Sequence, residues 1–263
     1  MTKDFGLWPG AGEERFAPPS RTSRATTPQT RRFVSKYGLS RCLIGILIAS
    51  LTIALAEVRA VDTNAVLDAW FSAQSGLRTW SADFLQSRSL KTLTQPLLST
   101  GHVWFAAPDR FRWEIGRPPR TVALRHSDEM IVAYPLLKRA ERYSLAANAP
   151  GEWRDAMSLL QAGFPRNGPE FKAQFDILSL QETNGVWALA LRPRSAFARQ
   201  VLPELGVSLA AKDFSLLGTE LVFVDGSRMR NTFMNAVLNE PVDEGLLGWK
   251  PPADFKVTEP LKK

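Results

Sequence analysis

The chain has 263 residues, 44% hydrophobic and 22% charged, which is enough apolar material for a core and excludes a wholly disordered chain. Its formal charge of +7 is unevenly placed: residues 1–60 carry nine Lys/Arg against four Asp/Glu, the rest 24 against 22, so the body lacks the clustered positive charge that nucleic-acid binding needs. A single cysteine, Cys42, and two histidines, His102 and His126, exclude a disulfide framework, a thiolate zinc site and CxxC chemistry, and argue against a multi-histidine metal site.

Residues 1–41 read as a disordered basic arm, with Pro9, Pro18, Pro19 and Pro28 and a cluster ending in Arg31, Arg32, Lys36 and Arg41. Fifteen uncharged residues follow, from Cys42 to Ala56. A positive flank, an apolar stretch of this length and the small-residue endings Ala54-Leu55-Ala56 and Val58-Arg59-Ala60 describe an export signal over residues 42–60. Cleavage is expected after Ala60 or Ala56; retention as an inner-membrane anchor is the alternative, although a spanning helix wants about twenty apolar residues. Cys42 opens the apolar run, the wrong place for a lipid-modified cysteine.

The exported part, residues 61–263, starts with an amphipathic helix at 63–75, where Val66, Leu67, Trp70 and Phe71 share one side and Gly76 stops it. From Thr79 the period becomes two: Trp80, Ala82 and Phe84 alternate with Ser81, Asp83 and Leu85. Further strands are predicted at 98–106, over the alternating Arg110-Phe111-Arg112-Trp113-Glu114-Ile115, and at 121–125, 130–134 and 139–145. Helical spacing returns from Pro150 to Gly163, with Trp153, Met157 and Leu160 along a stripe. Strands are then expected at 171–181 and 186–192 around the Thr183-Asn184-Gly185 turn, a helix at 195–205 broken by Pro203, strands at 207–214, 216–224 and 228–238, and a tail through Pro251-Pro252. No βαβ alternation occurs. The reading is an α+β, mainly β domain of about ten antiparallel strands with two or three helices.

No nucleophile with a base, carboxylate pair or metal cluster stands out, so no enzyme, no catalytic residue and no cofactor is expected. His126-Ser127-Asp128 has the letters of a triad, but consecutive residues point in different directions. Asp225-Gly226 lacks the rest of a calcium loop and reads as a hairpin turn. What remains is aromatic surface: eight Trp and fifteen Phe, several on alternating strand positions. They fill a core or, on a curved sheet, line a greasy cleft.

The stretch GHVWFAAPDRFRW from Gly101 to Trp113, with Phe84-Leu85-Gln86 before it and Tyr134-Pro135 after it, resembles the LolA family of periplasmic lipoprotein carriers. Weaker matches follow at Leu159-Leu160, Leu191-Arg192-Pro193, Asp225-Gly226, Phe233 with Asn235, and Trp249-Lys250-Pro251-Pro252. The resemblance implies an open half-barrel covered by helices. It also implies a monomeric carrier that takes acyl chains of lipoproteins, or of another envelope lipid, from an inner-membrane ABC-type exporter to an outer-membrane receptor. Phe111 and Trp113 match the family's aromatic pair and Leu159 and Leu160 its lid helix; with Trp80, Phe84, Trp104, Val132 and Tyr134 they are the expected ligand contacts. Two positions depart from the family: Ala107 stands before Pro108 where the carriers have an Arg tied to lid closure, and Glu129 replaces a glycine after Ser127-Asp128. An envelope-stress sensor resembling RseB, which shares this type of sheet, is the alternative function.

Overall fold

The structure is a computed structural model and describes residues 62–126, 128–145 and 162–260. The expected helix is present as α1 (Thr63–Gln74), its first turn capped by the Asp62 carboxylate, which accepts from the backbone N–H groups of Asn64 and Ala65. Strands β1 (Thr79–Ser89), β2 (Leu97–Ala106), β3 (Arg110–Ile115), β4 (Thr121–His126), β5 (Glu129–Tyr134) and β6 (Arg139–Ser144) follow. The predicted inserted helix, with Leu159 and Leu160, lies outside the described residues.

Beyond residue 161 the structure departs from the strand expected from 171. Residues 168–174 form helix α2 (Gly168–Gln174), because Asn167 caps it by accepting from the Glu170 N–H and Pro169 is preset for a first helical turn. The strand β7 (Phe175–Thr183) begins only there. It turns through Asn184 (φ 52°) and Gly185 (φ 77°) into β8 (Val186–Pro193), the left-handed pair that a two-residue hairpin needs. Helix α3 (Ala196–Val201) ends before Pro203, and strands β9 (Glu204–Ala210), β10 (Leu216–Val222) and β11 (Arg228–Leu238) follow. The tail contains two further elements, helix α4 (Glu244–Leu247) and strand β12 (Lys256–Thr258).

All twelve strands belong to one open sheet in the order β12-β6-β5-β4-β3-β2-β1-β11-β10-β9-β8-β7. Neighbours are antiparallel except for β12, which lies parallel to β6 over three residues. The fold is thus the expected open half-barrel, with four α-helices among the described residues. None of these helices is long and apolar enough to cross a membrane.

Cross-strand register defines two faces. On the inner face Trp80 opposes Phe105, Phe84 opposes Gly101, Val103 opposes Trp113 and Phe105 opposes Phe111. The series continues on the other side of β1 with Phe233, Asn231 and Met229 of β11, then Thr219 and Leu221 of β10, and Val207 and Leu205 of β9. Helices α1 and α2 cover part of this face: Trp70 meets Phe171 edge-on at 5.3 Å, and Phe171 meets Phe175 at 5.1 Å. On the outer face a separate apolar cluster of Val122, Leu124, Ile131, Ala133 and Ala140 is covered by Trp249 and Phe255 of the tail.

Candidate functional site

On the inner face the strands leave a cavity of about 80 Å³. Trp80 of β1, Val103 and Phe105 of β2, and Phe111 and Trp113 of β3 line one side, and Leu205, Val207, Leu216 and Leu221 the other. Among the described residues no Lys, Arg, His, Asp or Glu lines it; the polar groups are Gln86, Thr219 and Asn231. The three form a ladder across adjacent strands, in which Gln86 Nε2 donates to Asn231 Oδ1 at 3.0 Å and Asn231 Nδ2 donates to Thr219 Oγ1 at 3.0 Å.

Part of the lining is a plug-like segment of the same chain. Ala162, Gly163 and Phe164, directly after the undescribed stretch, line the cavity. The Phe164 ring stacks on Phe105 at 4.4 Å and 7° and meets Trp80 at 5.0 Å. Gly163 fits against Leu216, where a Cβ would approach Cδ2 to 2.9 Å. Two residues beyond Phe164, Arg166 reaches Asp109 Oδ2 at 3.4 Å, and the same oxygen takes Arg125 at 3.2 Å. Burial pushes the Arg125 guanidinium down from its ordinary pKa, against the opposing pull of Asp109. The turn that carries Ala107 is therefore tied to the plugging segment through Asp109.

Trp80, Phe111 and Trp113 are brought together in the cavity wall. Phe84, 1% exposed, lies beneath, its ring 4.4 Å from Trp113 and over Gly101, where a Cβ would come within 2.5 Å of Cζ. Val132 and Tyr134 sit on the same face in a neighbouring cluster with Ala123 and Met130, against which Phe111 and Trp113 also pack. Tyr143 in that cluster donates to Glu141 at 2.7 Å, and burial, followed by the Glu141 carboxylate, raises its pKa. Trp104 is on the other face: strand alternation that turns Val103 and Phe105 inward turns Trp104 outward, where its ring stands 4.2 Å from His102. Leu159 and Leu160 lie outside the described residues.

The sequence reading missed Phe164, Phe105, Gln86, Asn231 and the wall from β9 and β10. An available signal was the run Met229, Asn231, Phe233, which puts an amide at an inward position of an alternating strand. His102 has a structural partner, its Nδ1 2.9 Å from Asp83 Oδ1, and Asp83 also takes Arg117 at 2.6 Å and Asn235 at 3.1 Å. No group of three or more potential metal ligands occurs among the described residues.

An apolar cavity on an open antiparallel half-barrel, with an aromatic side chain packed into its lining, agrees with a comparison to known families. The family model described as "Outer membrane lipoprotein carrier protein LolA" matches residues 75–247. The chain belongs to the LolA family. No curated protein sequence matches it. Solved structures similar to it include a LolA superfamily protein from Nitrosomonas europaea, at 11% identity and a TM-score of 0.39, covering 71% of this chain and 98% of that one. A conserved protein from Thermus thermophilus, described as uncharacterized, shares 11% identity with a TM-score of 0.44 over 74% and 98% of the two chains. The MucA/MucB complex of Pseudomonas aeruginosa matches at 16% identity and a TM-score of 0.39, over 74% of this chain and 62% of that chain.

Proposed function

We propose that this LolA-family protein is a non-catalytic periplasmic carrier that shields acyl chains of lipoproteins, or of a related envelope lipid, between the inner and outer membranes. The single observation that supports this most is the uncharged aromatic and aliphatic cavity with its own side chain folded in as a plug. Each buried CH2 is worth about 0.8 kcal/mol, so a multi-acyl lipid leaves a membrane at a useful rate only into such a shelter. At about 80 Å³ the cavity is smaller than the roughly 150 Å³ that houses a benzene; an acyl chain enters by displacing Phe164 together with Ala162 and Gly163. Arg166, which follows the plug, and Arg125 share Asp109, so the plug has a polar tether at the cavity mouth. Arg110 and Arg112 do not replace the family arginine at Ala107: Arg110 pairs with Glu244 at 2.7 Å and Arg112 donates to the Leu246 carbonyl at 3.1 Å, both on the outer face.

In this reading residues 1–41 are a basic arm, 42–60 a cleaved export signal and 61–263 the carrier, with an inner-membrane ABC-type exporter as donor and an outer-membrane receptor as acceptor. The test is to express the full chain in a Gram-negative host, purify it from the periplasm, sequence its N-terminus and identify bound material by lipid extraction and mass spectrometry. The expected result is a start at Val61 or Glu57, a co-purifying acyl lipid, and enhanced emission of a fluorescent fatty acid. Phe111→Glu and Trp113→Glu should abolish that enhancement while circular dichroism reports an intact sheet. Absence of both bound lipid and fluorescence gain overturns the carrier. A lipid-loaded protein that never delivers to outer-membrane vesicles favours the RseB-like sensor instead.

A further inference from the structure

Two tryptophans of the cavity wall, Trp80 and Trp113, carry indole N–H groups without an acceptor among the described residues. Their Nε1 atoms, like that of Trp70 in α1, expose almost no surface and make no hydrogen bond to a described residue; a ligand reaches them only once the Phe164 ring, 5.0 Å from Trp80, has moved aside. Buried indole N–H groups ordinarily find a partner, since an unmade hydrogen bond costs more than a made one gains. Both rings flank Phe233, at 5.0 and 5.9 Å, so the two indoles belong to one patch of wall. Two residues along β11 on the same face is Asn231, 5% exposed, the centre of the ladder with Gln86 and Thr219. That ladder uses one N–H of Gln86 and leaves its carbonyl oxygen and second N–H available.

We propose that this patch recognises the neutral carbonyl oxygen of an ester- or amide-linked acyl chain, so that the cavity selects the junction between chain and headgroup and not hydrocarbon as such. This deepens the carrier reading and rests on it. Three chemistries are separated by the wall. A bare hydrocarbon leaves both indole N–H groups unpaired. A free fatty acid brings a carboxylate into a cavity whose described lining includes no cation, and a buried charge without a counter-charge is costly. An ester or amide carbonyl offers two lone pairs, carries no charge, and meets the two indole donors. A ligand amide N–H or a glycerol hydroxyl has in Gln86 an acceptor nearby.

The experiment is competition for the full-length mature protein by four sixteen-carbon compounds: hexadecane, palmitate, methyl palmitate and N-methylpalmitamide, each displacing a fluorescent acylglycerol. The ester and the amide are expected to bind about tenfold more tightly than hexadecane or palmitate, the factor given by one net hydrogen bond of ordinary strength. In the double variant Trp80→Phe, Trp113→Phe, which keeps an aromatic ring at each position and removes both donors, that preference should collapse. Trp249→Phe on the outer face should keep it. In 15N-resolved NMR spectra the indole signals of Trp80 and Trp113 should move downfield with methyl palmitate and not with hexadecane. Equal competition by all four compounds, or an ester preference that survives the double variant, overturns the inference while leaving the carrier standing. Failure of the acylglycerol and of every competitor to bind overturns the carrier reading and this one together.

Discussion

The two ends of the sheet are built differently. From β3 to β6 it is packed on both faces: Phe111, Trp113, Val132 and Tyr134 look inward, while Val122, Leu124, Ile131 and Ala140 are buried on the outside under Trp249 and Phe255. From β7 to β11 only the inner face is apolar; outside, Glu220 spans to Arg228 and Arg230 at 3.4 Å, and Met234 is 45% exposed. The cavity lies between these regimes. Behind its Phe111–Trp113 wall β3 carries Arg112, 7% exposed and stacked on Trp249 at 5.6 Å beside the second core of β4 to β6, whereas behind its Leu205–Leu221 wall Glu204 is exposed, as antiparallel sheets allow. A wall held from both sides resists displacement, so accommodation of a ligand is expected from β9, β10 and the plug, not from β3.

The strongest break of this comparison is Leu124→Ala against Met234→Ala. Leu124 is 1% exposed, and its truncation should cost about 2–5 kcal/mol, whereas the Met234 change should stay within about 0.5 kcal/mol; urea unfolding measures both, and equal costs would erase the distinction between the two ends. Next is Trp249→Ala, which removes the edge contact with Phe255 at 6.1 Å and the stacking of Arg112 at 5.6 Å; a loss of about 1–3 kcal/mol is expected, with little change in acyl-probe affinity. Phe164→Ala should do the reverse. Its stability cost should be smaller, about 1 kcal/mol for a half-buried ring, while titration with the probe shows several-fold tighter binding because the competitor inside the cavity is gone.

The smallest effect concerns the outer face of β1. The hydrogen bond from His102, followed by that from Asn235, holds the Asp83 carboxyl below its ordinary pKa. A depressed folded pKa stabilises the protein fully above the unfolded value of about 3.9, and that contribution is lost as the pH falls from there through the lower folded value. Asp83→Asn should therefore cost less than about 1 kcal/mol at neutral pH, the pair being part-exposed and screened. The gap to the parent should close in acid; a gap that persists at pH 2 would assign Asp83 a packing role instead.

The sequence was most legible where one face meets water. Strand β1 and β3 alternate visibly, and Asn184-Gly185 announces its hairpin, because period and turn chemistry are local. Helix α2 was hidden since Phe171 and Phe175 sit at a spacing that suits strand and helix alike, and its Asn167 cap was the discriminating signal. The tail was illegible for a different reason: Leu247 and Trp249 acquire a surface to cover only once β3 to β5 exist, and β12 is a three-residue edge. Trp104 looked like a wall residue by type, but its strand parity points it outward. The amide ladder was missed because a polar residue on an alternating strand reads by default as the wet side.

Phe164 also has a kinetic meaning. A ring tethered a few residues from the site it occupies acts as a resident competitor at an effective concentration on the order of millimolar. Such a competitor never diffuses away, so every transient loosening of a bound chain is contested by the protein itself. In the carrier reading, discharge into a receiving site is then an exchange of one apolar group for another that exposes no empty hole to water, and the affinity of the Phe105–Trp80 slot for Phe164 limits how tightly cargo is held.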